Sequence, residues 1–184
     1  MAMKEYIVPE SINKYDLKKL RKKLGLTQVE FAALANLSKK TIERWESSDK
    51  EITGPITTLF YLMSTDISLA EKLEIQPSQY PLRMKYFFRK QLCTIIDIDE
   101  RDRKIEILNF QTDPIFKAFG NIKKPTYDDY EEFLSSRCIP KERDKMKIQL
   151  RELNIPFYDP MLIIEKTQGR MAEDEFWIEI ERRG

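Results

Sequence analysis

The chain of 184 residues contains no histidine. That absence removes His-based catalytic triads, and with only two cysteines it also leaves no ordinary zinc site. Carboxylate-based chemistry passes this filter, and little else does. Cys93 and Cys138 stand far apart without a CxxC pattern, so they read as buried apolar thiols rather than as a disulfide. No apolar run approaches the roughly 20 residues of a membrane span, and the N-terminus lacks an apolar signal core. The chain is therefore expected in the cytosol. An excess of one charge is missing too. The formal net charge is +1, so overall basicity gives no argument for nucleic acid, and any such case rests on local charge and motif.

Hydrophobic residues make up 41% of the chain, enough to build a core, and charged residues 34%, enough to solvate its surface. The length holds one large domain or two small ones. Residues 16–73 read as helices with short connections, the last of them capped by Asp66 and carrying Leu69 and Leu73. Two prolines within Gln76-Pro77-Ser78-Gln79-Tyr80-Pro81 then break the pattern, which places a linker over residues 76–81.

Beyond the linker the period changes. Met84, Tyr86 and Phe88 alternate with Arg83, Lys85 and Phe87, as in a strand. Residues 92–98 and 104–110 are two more β-rich runs around the polar turn 99–103, which predicts an antiparallel hairpin. Asp113-Pro114 and Asp159-Pro160 each set a capping Asp before a Pro at the first helical position. Thr126 with Asp129 forms a capping pair ahead of Tyr130, Phe133 and Leu134. Pro140 opens a further helix with Met146, Leu150 and Leu153 on one face. Gly169 stops the helix containing residues 161–166. Phe176, Ile178 and Ile180 then alternate with Trp177 and charged residues in a last strand. The predicted fold has two domains: an all-α unit over residues 1–75 and a small α+β unit with an antiparallel hairpin over residues 82–184.

The sharpest signal lies in residues 26–46, LTQVEFAALANLSKKTIERWE. Thr27 and Glu30 form a capping box, with Leu26 and Phe31 at the positions of a hydrophobic staple. Ser38 caps the next helix, with Leu37 and Ile42 as a second staple. Asn36 falls at the turn position that needs positive φ, where Asn is the usual substitute for Gly. Ala32 lies near the helix crossing, where a large side chain would push the helices apart. Phe31, Ala35, Leu37, Ile42 and Trp45 occupy positions expected to be buried.

This arrangement resembles the helix-turn-helix of the Cro/C1 repressor (XRE) family, with Leu20, Leu24 and Gly25 supplying a first helix and its glycine stop. The resemblance implies a lambda-repressor-like fold that sets the second helix of the motif in the DNA major groove, with its N-terminal residues at base edges. Those residues are Ser38, Lys39, Lys40 and Thr41, with Arg44 one turn on. Lys and Arg suit the guanine O6/N7 edge, and Thr suits a hydrogen bond or a thymine methyl. Gln28 matches the family position that grips a phosphate, with the helix amino end adding its attraction for the anion. Lys18, Lys19, Arg21, Lys22 and Lys23 form a basic cluster on the first helix, read either as phosphate contacts or as a solvated face.

The flank WESSDKEITGPITTLFYLM resembles that of HigA- and MqsA-type antitoxins, with Ser47 or Ser48 where Gly is usual and residues 52–55 in place of Pro-Ser-Gly. In the second half, Arg137, Ile139, Pro140, Arg143, Asp174, Phe176, Trp177 and Ile178 resemble the module that precedes the kinase domain of HipA-like proteins. No Gly-rich phosphate loop or HRD-type segment accompanies them, so kinase activity is not implied. Asp97, Asp99, Asp102 and Glu106 read as a hairpin with its polar turn rather than as a metal cluster. The acidic aromatic run 127–132 reads as a helix start, where acidic residues are favoured. No catalytic residue, metal or cofactor is assigned. The expected partners are a double-stranded operator and a second copy of the chain, and the expected role is a repressor. The alternative is an antitoxin that binds a separately encoded HipA-like kinase and represses its own operon. An enzyme merely targeted to DNA is the weakest reading, given the missing histidines.

Overall fold

The computed structural model describes residues 4–141 and 146–183, in two units that divide between Gln76 and Pro77.

In the N-terminal unit, α1 (Lys14–Lys23), α2 (Gln28–Leu34), α3 (Lys39–Ser47), α4 (Ile56–Thr65) and α5 (Ser68–Leu73) follow one another with short connections. Asn13 starts α1, its Oδ1 accepting from the backbone N–H of Tyr15 and Asp16 at 2.9 Å. Gly25 ends the first turn region at φ 71°, a conformation that only glycine adopts without strain. The Thr27–Glu30 capping box is formed in both directions, and Asn36 takes φ 53° in the turn before α3. Leu17, Phe31, Ala32, Ile42, Ile52 and Ile56 form the buried core. Ala35, Leu37 and Trp45 are packed against it but only half-buried, so their sequence-based placement in the core is corrected.

Two features differ from the expected all-helical pattern. Strands β1 (Ser11–Ile12) and β2 (Ile52–Thr53) pair antiparallel, joining the segment before α1 to the loop after α3. Two-residue strands have no periodicity to read. Asp66 accepts from the Ser68 N–H at 3.0 Å, but that bond closes an Asx turn rather than a regular cap, since α5 begins after Ile67.

The C-terminal unit is built on a four-stranded antiparallel sheet of order β5-β4-β3-β6, where β3 is Leu82–Phe88, β4 Gln91–Asp99, β5 Lys104–Asn109 and β6 Phe176–Arg182. Alternation decides which side faces the core. Leu82, Met84, Tyr86, Ile96, Ile98 and Ile178 are buried together with Tyr130, Phe133 and Leu134 of α6 (Tyr127–Ser136), Leu150 of α7 (Met146–Glu152) and Ile163 and Ile164 of α8 (Pro160–Thr167). On the opposite parity Arg83 meets Asp97 across the ladder, and Lys85 meets Glu179 and Glu181. The segment 77–81 belongs to this unit: Ser78 is buried and the Pro81 carbonyl accepts from Arg183 N at 2.9 Å.

The predicted caps are in place at Thr126 and Asp159. Asp113-Pro114 starts only a single 3-10 turn, Pro114–Phe116. Gly169 is not the first residue out of α8. Gln168 already stands at φ 58°, and Gly169 follows at φ 61°, where a Cβ would sit 3.0 Å from Ile178 Cδ1. The expected helix start after Pro140, with Arg143, falls partly outside the described residues.

Candidate nucleic-acid interface

The geometry of α3 follows from its cap. Ser38 Oγ accepts from the Thr41 N–H at 3.1 Å and lies 2.8 Å from Thr41 Oγ1, so both hydroxyls are engaged with each other at the helix start. Lys39, Lys40 and Arg44 are exposed, while Thr41 is half-buried. Lys39 is partly offset by Glu43, one turn on, at 3.0 Å. Lys40 and Arg44, also one turn apart, make no ion pair among the described residues. They are the uncommitted cations of this helix.

Gln28 stands in the first turn of α2, half-buried, and its amide donates to Glu46 Oε2 at 2.9 Å. Glu46 also accepts two bonds from Arg21, at 2.6 and 3.0 Å, and Arg21 donates a third bond to the Leu26 carbonyl at 2.9 Å. One carboxylate thus joins α1, the start of α2 and the end of α3. The Arg21 hydrogen bonds hold the Glu46 carboxyl below the usual carboxylate range. The amino end of α2 already carries an anion, because Glu30 Oε2 accepts from the Thr27 N–H at 2.7 Å.

Sequence reasoning placed Arg21 in the basic surface cluster and missed this network. The signal was available: Leu17, Leu20, Arg21 and Leu24 share one helical face, so Arg21 points inward while Lys18, Lys19, Lys22 and Lys23 remain exposed.

The C-terminal residues singled out in the sequence separate into two groups. Tyr130 and Arg137 are buried, so they do not offer a contact surface. Arg137 donates to the Gly169 carbonyl at 2.7 and 3.0 Å, to Asp174 at 2.6 and 3.0 Å, and to the Phe176 carbonyl at 3.2 Å. Phe88 packs on Phe116 and Phe176, and Tyr127 receives the Arg103 guanidinium 4.2 Å from its ring. Phe87 and Trp177 stack at 4.4 Å and are half-buried. Cys93 and Cys138 are free and buried, and burial pushes the Cys138 thiol up to about 12. Asp99 accepts from Arg101 N and Asp102 N in the hairpin turn, and no group of three or more acidic or cysteine side chains among the described residues is placed to hold a metal.

A capped helix pair with a short Asn turn, supported by a first helix and carrying cations on the exposed side of its second member, defines a helix-turn-helix domain of the DNA-binding class. Residues 17–56 match the family model described as Helix-turn-helix. The match supports a sequence-specific DNA-binding regulator of the XRE type. No curated protein and no solved structure matches the chain. Nothing in these comparisons supports the resemblance to HigA- and MqsA-type antitoxins or to the module of HipA-like proteins. No helix among the described residues is long and apolar enough to cross a membrane.

Proposed function

We propose that the chain is a cytosolic, non-enzymatic repressor that binds a two-fold operator as a homodimer and reads it with the amino-terminal half of α3. Lys40 and Arg44 contact base edges, with Lys39, Thr41 and Ser38 beside them and Gln28 held at the phosphate backbone. The observation that carries this reading is the pairing of free cations on α3 with the Arg21–Glu46–Gln28 lock beneath it: the helix is held rigidly while its charged face remains unspent. Glu46 leaves one N–H and the carbonyl of the Gln28 amide for other partners. Selection of bound sequences from a random duplex pool tests the proposal. A defined inverted-repeat consensus is expected, whereas recovery of unenriched DNA would remove it.

A second reading, in which the C-terminal unit docks a separately encoded protein such as a HipA-like kinase, draws support from the half-buried Phe87–Trp177 stack, because aromatic residues are enriched at binding hot spots. Co-expression of the full chain with a kinase-like neighbour separates the two: a stable complex lost on Trp177→Ala favours docking, and no complex leaves the repressor.

A further inference from the structure

The two edges of the C-terminal sheet are treated differently. In an antiparallel pair, hydrogen-bonded and non-hydrogen-bonded positions alternate. Arg89 N donates to Glu175 O, and Arg183 N to Pro81 O, which turns the backbone groups of Phe176, Ile178 and Ile180 outward from β6. The first part of that row is blocked: Ile178 N donates to the Gln168 carbonyl at 2.7 Å, and the Phe176 carbonyl accepts from Arg137.

On the other edge, Phe110 N donates to Cys93 O at 2.9 Å, so the N–H and C=O of Ile105, Ile107 and Asn109 turn outward from β5. These groups meet no partner among the described residues. The β5 strand has neither a proline nor a bulge in its pairing with β4, two of the devices that protect an edge, and its charges are limited to Lys104 and Glu106. Beside this open row Leu108 and Phe110 are 50% and 43% exposed.

We propose that β5 pairs antiparallel with β5 of a second copy of the chain, about a two-fold axis through Ile107, joining two sheets into one of eight strands. Register selects the axis: pairing about Ile105 would set Lys104 opposite Glu106 but leave Ile107 and Asn109 without outward partners inside the strand. An axis through Ile107 sets Ile105 opposite the second copy's Asn109, and Ile107 opposite itself, so all three outward residues bond. On the opposite parity Glu106 faces Leu108 and Lys104 faces Phe110, with no like charges directly opposed. An axis through Glu106 would place two carboxylates face to face, which is unfavourable. An axis through Leu108 would leave Ile105 without an outward partner inside the strand.

The pairing supplies the homodimer invoked under the repressor reading, and it is tested without DNA so that the two fail separately. Light scattering on the full chain should give about twice the 22.0 kDa chain mass. Ile107→Pro removes an outward N–H together with a side chain packed on the core, and should give monomers with an unchanged circular dichroism spectrum. Should that variant lose its fold, cysteine cross-linking decides: Ile107→Cys places two thiols at the roughly 5.5 Å Cα separation of a hydrogen-bonded pair, within disulfide range, whereas Ile105→Cys does not. Cross-linking at 107 and not at 105 is expected. A wild-type monomer, a dimer that survives a folded Ile107→Pro, or cross-linking at 105 in place of 107 would overturn the pairing. A monomer that still selects DNA leaves the regulator reading standing, and a dimer that selects none removes that reading alone.

Discussion

Arg21 has the clearest role of any single residue in the N-terminal unit. Its bidentate bond to Glu46 is mostly shielded from solvent, with the two side chains 12% and 5% exposed. Glu46→Ala should therefore destabilise the unit by about 1–3 kcal/mol, the range for a hydrogen bond to a charged group left without its partner. The bond also carries a pH signature. Arg21 holds the Glu46 carboxyl below its unfolded value of about 4.3, so the stabilisation is fully present above that pH and is lost as pH falls through the folded value. Protection factors of α2 and α3 amides in the full chain should fall once the pH drops below that unfolded value, and Glu46→Gln should be less protected at neutral pH with a shallower acid limb. Equal protection in both proteins at pH 7 would contradict the role assigned to this pair. Tyr130 provides the converse case. Its hydroxyl is buried without a hydrogen-bond partner among the described residues, so Tyr130→Phe should leave the melting temperature unchanged or raise it. A clear fall would show that the hydroxyl has a partner.

Among the elements, those that begin with a side-chain cap were legible in advance. Thr27 with Glu30, Ser38, Thr126 with Asp129, and Asp159 each fix a helix start by a bond to a backbone N–H three residues on, which is local and therefore visible as spacing. Alternation in β3 and β6 was visible for a similar reason. The pairing of β1 with β2 was not, because it depends on residues some forty positions apart and only two per strand. Arg137 enters the sequence reading through the resemblance to the HipA-like module, whereas five hydrogen bonds to groups more than thirty positions away hold it inside the domain. Arg137→Lys keeps the charge but loses the planar fork, and should cost about 2–4 kcal/mol, read as a lower thermal midpoint for the C-terminal unit. An unchanged midpoint would mean that β6 and α8 are joined by other contacts. In the site, α3 and its exposed cations were legible, and the lock beneath them was not, since nothing local marks Glu46 as the partner of Arg21.

At the scale of the whole molecule, a DNA-binding unit is joined to a unit whose sheet has one partly blocked edge. The central claim is that α3 does the reading, and it depends on Lys40 and Arg44 making no ion pair among the described residues. The most direct measurement compares the wild-type chain with a Lys39→Ala/Lys40→Ala/Arg44→Ala variant on the sequence that the wild type selects from a random duplex pool, at fixed salt. All three side chains are exposed, so the variant should fold and melt as the wild type does. Its affinity for the selected sequence should fall by about tenfold or more, and its preference over unrelated DNA should largely disappear. Equal affinity and equal preference in the two proteins would contradict the account and place the reading surface elsewhere on the chain.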